Sequence, residues 1–119
     1  MSETSKSKTE VSYTIFMLLR TTPAWLRLTR SERSAIAEAA FGFALKDGTV
    51  AFSYHDAEAF SGRATDVAVF KTTALYDYYK VVERLRDSPL FTEPYFEVVE
   101  IIPTIEEGFR QFEQDEARA

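Results

Sequence analysis

Apolar residues in this chain fall into short runs cut by polar stretches, and the spacing inside each run predicts its element. Residues 12–20, SYTIFMLLR, are apolar at both parities, with Tyr13, Ile15, Met17 and Leu19 on one side and Phe16 and Leu18 on the other. That predicts a strand covered on both faces. After Pro23 comes an apolar turn, AWLRL, and then Thr29-Arg30-Ser31-Glu32, a hydroxyl and a carboxylate at capping-box spacing. A helix is expected from about Arg30 to Leu45, burying Ile36, Ala40 and Phe43, with Lys46-Asp47-Gly48 as its stop. TVAFSYHDAEAF then alternates: Phe52, Tyr54, Asp56 and Glu58 on one side, Ala51, Ser53, His55 and Ala57 on the other. It reads as a second strand, bent or bulged toward its end, turned by SGR (61–63) into a third, TDVAVFK. There Val67 and Val69 share one face and Asp66, Ala68 and Phe70 the other. From an N-cap at Thr73, the residues Leu75, Tyr78, Tyr79, Val82 and Leu85 recur at helical spacing as far as Ser88-Pro89. PYFEVVEII (94–102) reads as the fourth strand, closed by Pro103, and Thr104-Ile105-Glu106-Glu107 as a capping box opening a last helix with Ile105, Phe109 and Phe112 on one stripe.

The order β-α-β-β-α-β plus a C-terminal helix predicts an α+β, ferredoxin-like antiparallel sheet with its first and third strands central and its two main helices on one face. The other face is then expected to carry Phe16, Leu18, Phe70 and either Phe96 or Tyr95, more apolar surface than a monomer usually exposes. Two sheets packed face to face in a symmetric homodimer would bury it, leaving a dimeric α/β barrel with an interior between sheets.

Composition narrows the classes. The 119 residues, 45% hydrophobic, suffice for one domain with one core. Residues 11–113 are expected to form it, with 1–10 a disordered tail and 114–119 a charged C-terminal tail. The net charge is −5 and Arg27, Arg30 and Arg33 alternate with Glu32 and Glu38. No basic face exists to release counterions, so nucleic acid and anionic membranes are not expected partners. No stretch reaches the ~18 apolar residues of a membrane span, and a cytoplasmic setting is the expectation. The chain has no cysteine and one histidine, which excludes disulfides, thiolate metal sites, the usual zinc set and a two-histidine iron triad. Nucleotide-binding glycine loops and a Gly-x-Ser-x-Gly elbow are absent. What stays open is a carboxylate-rich site or a heme held by His55; conventional cofactors are not expected.

The remaining chemistry gathers at strand ends. His55 could serve as a general base, but neighbours in a strand face opposite ways, so Asp56 does not orient it without a bulge. Asp56 and Glu58 share a side with Tyr54, as a pocket wall or as charges guarding an edge strand. Arg20 ends an otherwise apolar strand beside Asp66 and, with Arg63 in the hairpin turn, could bind an anion or form structural ion pairs. Trp25 could cover a pocket mouth and stack on a ring, or be core. Tyr78 and Tyr79 pack a helix, with a phenol able to donate to an oxyanion. The candidates are Asp56, His55 and Arg20 for catalysis, and Trp25, Tyr54, Arg63, Asp66 and Tyr79 for substrate binding.

Three stretches, YTIFMLLRTTPAWL, HDAEAFSGRATDVAVF and SPLFTEPYFEVVEIIPTIEEGFR, together resemble the darcynin family, small bacterial proteins related to the dimeric α/β-barrel group. The resemblance spans about residues 12–112 and implies the ferredoxin-like fold, without supplying a defined reaction. The wider group includes cofactor-independent oxygenases, isomerases and polyketide cyclases, and heme-binding members. Two readings follow. One is a small-molecule enzyme working without metal or nucleotide, moving a proton on an apolar cyclic or aromatic substrate. The other is a non-catalytic dimeric ligand-binding or assembly module.

Overall fold

The computed structural model describes residues 10–118; the tail expected at 1–10 lies, apart from Glu10, outside them. Strand β1 (Tyr13–Thr21) leads through a one-turn helix α1 (Pro23–Leu26) to α2 (Arg30–Ala44), β2 (Ala51–Asp56), β3 (Asp66–Thr72), α3 (Leu75–Arg86), a second one-turn helix α4 (Pro89–Thr92), β4 (Phe96–Ile105) and α5 (Gly108–Arg118). The sheet is antiparallel in the order β2-β3-β1-β4. β1 and β3 are central, and the arrangement is α+β and ferredoxin-like, as the element order predicts.

Local chemistry explains most boundaries. Thr29 accepts from the Glu32 amide at 3.1 Å while the Thr29 amide donates to Glu32 Oε1 at 2.8 Å, the reciprocal cap that opens α2. Gly48, at φ 73°, turns the chain after it. α3 is capped at Ala74 rather than Thr73: the neighbouring Thr72 hydroxyl accepts from the Ala74 amide at 3.1 Å. At its other end Arg84 donates to the Ala44 carbonyl at 3.1 Å and pairs with Asp47 at 3.0 Å, joining α3 to the end of α2.

The core lies between sheet and helices. Ile15, Met17 and Leu19 from β1, Ala68 and Phe70 from β3, and Phe96 from β4 meet Ala40 and Ala44 of α2, Val81 and Leu85 of α3 and Leu90 of α4. Phe70 is completely buried, with ring centroids of Phe52 at 5.2 Å and Tyr78 at 5.5 Å. Register corrects the outer face. Phe70 lies opposite Ile15 and Phe96 opposite Thr21, so both share the helix-facing side. The outer face instead carries Phe16, Leu18, Val67, Val69 and Ile102, paired as Phe16↔Val69, Leu18↔Val67 and Phe16↔Ile102. Phe43 is 55% exposed rather than core, with the Lys46 ammonium 4.4 Å above its ring. In α3 the buried stripe is Val81 and Leu85, and Leu75 and Tyr79 point outward.

β4 differs most from expectation. It continues through Pro103, which pairs with Ile15, because an edge strand leaves one row of N–H positions without a ladder partner. Thr104 therefore sits in the strand, its hydroxyl donating to Thr14 O at 2.6 Å, and caps nothing; α5 starts only at Gly108, after Glu107 at φ 45°. A bulge interrupts the pairing. Leu18 faces Glu100 but Leu19 faces Val98, leaving Val99 as the extra residue.

Candidate functional site

On the helix side of the sheet, at the end where β1 finishes and β3 begins, a cleft of about 370 Å³ opens between α2, α1, α4 and β2. Its walls are Trp25, Phe41, Phe52, Phe96 and Leu90, with Tyr54 on the sheet and Arg33, Ser34 and Glu38 along α2. That volume lies within the ~300–1,000 Å³ range of small-molecule sites, and a few polar groups on apolar walls is their usual make-up.

Each wall is fixed by its own chain geometry. Thr22 caps α1, its hydroxyl donating to Pro94 O at 2.9 Å and its amide to Tyr95 O at 3.0 Å, which ties the turn after β1 to the start of β4. Trp25 then rests against Phe96 and Tyr95, with ring centroids at 4.9 and 5.4 Å. Arg33 holds α1 against α2 by donating to the carbonyls of Trp25 at 3.1 Å and Leu26 at 2.9 Å. Opposite, Phe41 and Phe52 stack at 4.5 Å. Tyr54 joins them, 6.5 Å from Phe41.

The polar end sets a phenol beside a carboxyl. Tyr54 interacts with Asp66, a diagonal neighbour on β3 that is buried to 6% exposure. Thr65 donates to Asp66 Oδ2 at 2.7 Å and is itself pinned through its amide to Leu19 O at 2.8 Å. Carboxylate oxygens of Asp56, Glu58 and Asp66 lie within 4.8 Å of one another. Burial raises the Asp66 carboxyl above the ordinary carboxylate range and the Glu58 and Asp56 charges push the same way, against the lowering by the Thr65 and Tyr54 bonds. The Tyr54 phenol is pushed far up, first by burial and then by the Asp66 charge. Tyr54 is therefore a neutral donor, and Asp66 a carboxylate that takes a proton more readily than an exposed one.

The sheet sorts the sequence candidates. Trp25, Tyr54, Asp56 and Asp66 are on the helix side; Trp25 and Tyr54 line the cleft, while Asp56 and Asp66, paired across β2 and β3, do not. His55 is on the outer face opposite Val67, its Nε2 3.0 Å from Ser53 Oγ. Arg20 and Arg63 belong to that outer side: Arg20 donates to the Arg63 carbonyl, and Arg63 pairs with Glu100 at 2.7 Å. Tyr79 is exposed on α3, stacked on Tyr76 at 5.9 Å. A single catalytic centre joining Asp56 to His55 and Arg20 is thus divided by the backbone of the sheet. Arg33, Ser34, Glu38, Phe41 and Phe52 were not among the candidates; the signal available was the helical spacing 34-38-41, which puts a hydroxyl, a carboxylate and a ring on one side of α2.

A family model described as darcynin, a domain of unknown function, matches residues 1–119. The chain belongs to the darcynin family. Darcynin 1 of Acinetobacter baumannii is 54% identical over 65 residues, 55% of this chain and 72% of that one. A darcynin homolog of Streptomyces avermitilis is 35% identical over 104 residues, 86% of this chain and 85% of its relative. Among solved structures, a heme-binding protein from Thermus thermophilus superposes with a TM-score of 0.70 at 18% identity, over 87% of this chain and 44% of that one. A structure of dimeric chlorite dismutases from Nitrobacter winogradskyi gives 0.60 at 18% identity, over 82% and 58% respectively. This darcynin chain spans about half the length of those structures, and at such identity they establish the fold. A histidine-held heme does not fit the cleft: His55, the chain's one histidine, lies across the sheet from it. Among the described residues no helix is long and apolar enough to cross a membrane.

Proposed function

We propose that this darcynin binds a small, mostly apolar cyclic or aromatic molecule in the helix-side cleft and moves a proton on it through Tyr54 and Asp66, without metal or nucleotide. The carrying observation is a neutral phenol on the wall of an aromatic cleft with a buried carboxylate next to it on the neighbouring strand. In the step proposed, the hydroxyl of a bound phenol or enol gives its proton to the Tyr54 oxygen as the Tyr54 proton passes to the Asp66 carboxylate. The ligand is left as an enolate or phenolate, Tyr54 stays neutral and Asp66 becomes a carboxylic acid; returning the proton to a ring carbon completes an isomerisation. Aromatic walls favour a flat ligand, and the three carboxylates disfavour an anionic one at that end. We further read the protein as a homodimer closed through its outer face, whose centre is Phe16, Leu18, Val67, Val69 and Ile102.

Trp25 is the only tryptophan in the chain, so its fluorescence reports the cleft directly. Titrating flat phenols and cyclic enols should quench it, and bound members should exchange ring hydrogens with deuterated water, a rate that Asp66→Asn lowers by ~10²-fold or more. Quenching without exchange would leave a ligand-binding module. No quenching by any of them would remove the small-molecule reading altogether.

A further inference from the structure

Helix α5 and strand β4 both carry apolar surface that this chain does not cover. No side chain of α5 is buried, and Phe109 and Phe112, three apart on one side of the helix, are 57% and 64% exposed. Along β4, on the helix-facing side, Val98, Ile101 and Ile105 are 45%, 43% and 47% exposed, although Met17 opposite Ile101 is 2% exposed. The helix layer stops short of this edge.

We propose that α5 is an intersubunit arm whose Phe109–Phe112 stripe seats on the Val98–Ile101–Ile105 strip of a second copy. The inference rests on the homodimer reading and adds to it where the arm goes. Area supports the second copy as occupant: the chain exposes 7714 Å², where a compact protein of its mass exposes roughly 6,600 Å². The excess, on the order of 1,000 Å², exceeds the ~800 Å² that each partner buries in an ordinary stable interface. Symmetry supports it as well. Stripe and strip are on the same chain, so a two-fold axis between the facing sheets on the β4 side covers both pairs at once. Finally, the strip is continuous across β4 with Ile102 on the outer face.

The lack of cysteine allows a clean test. Phe109→Cys chains are mixed with Ile101→Cys chains and oxidised mildly, and a disulfide between the two can form only across copies. A mixed-copy product by mass, with Phe109→Asp/Phe112→Asp raising the dimer dissociation constant at least 100-fold in sedimentation, is the expected result. No mixed-copy product and an unchanged dissociation constant, in a protein that Val69→Asp does dissociate, would overturn the arm and leave the dimer standing. A wild-type chain that sediments as a monomer would overturn both.

Discussion

A buried carboxyl among other carboxylates holds its proton more tightly in the folded chain than in the unfolded one, and Asp66 is placed that way. Linkage then fixes a sign. Between the ordinary carboxylate value and the raised value of Asp66, the folded state binds more protons than the unfolded state, so stability falls as pH rises through that window. Urea denaturation of the wild type from pH 4 upward should show that decline, and Asp66→Asn should flatten it; an unchanged slope would mean that Asp66 does not hold the proton. Tyr54→Phe keeps the ring wall but removes the relay, so binding by Trp25 quenching should survive while hydrogen exchange is lost. Some of this was legible from residues alone. Alternation along β2 already separates His55 from Asp56 and groups Tyr54 with the acids. The 34-38-41 spacing was legible as one side of a helix, but not its role, because a helix side becomes a cleft wall only once Trp25 and Leu90 stand opposite it.

Two identical local signals met different fates at the element scale. Thr29 and Thr104 both begin a Thr-x-x-Glu pattern, yet only the first is a cap. Thr104 pairs with Thr14 in the β-ladder and spends its hydroxyl on that strand, so sheet pairing prevailed over a local preference. Thr29→Ala should therefore cost about 1 kcal/mol of stability, read as a shift in denaturation midpoint. Thr104→Ala should leave α5 intact by circular dichroism. Pro103 failed as a stop for a related reason: the rule that proline ends strands holds for central strands, and sequence does not say which strand lies at an edge. Phe70, surrounded by Phe52 and Tyr78, should cost ~3–5 kcal/mol on truncation to Ala.

Across the whole molecule, the order of elements was enough to specify the ferredoxin-like sheet, since β-α-β-β-α-β leaves few untangled alternatives. Which residues cover which face was less legible: both parities of β1 are apolar, and only pairing with β3 decides that Phe70 faces the helices. The outer face makes the sharpest expectation at this scale. Val69→Asp puts a charge at its centre beside Phe16 and should turn a dimer into a folded monomer, visible in sedimentation with an unchanged circular dichroism spectrum. The extra residue at Val99 reaches furthest. It acts as a half-period phase shift, letting Phe96 serve the cleft while Ile102 serves the outer face, six positions on and of the same parity in sequence. Taking Val99 into a regular ladder would be a frameshift in space rather than in the reading frame: the first part of β4 would turn over, withdrawing the Phe96 ring from the cleft and putting Glu97 in its place. In relatives of this chain, a gap of one residue here would straighten the strand yet leave Phe96 on the cleft side, so the cleft wall tolerates the loss of the bulge but not its absorption into the ladder.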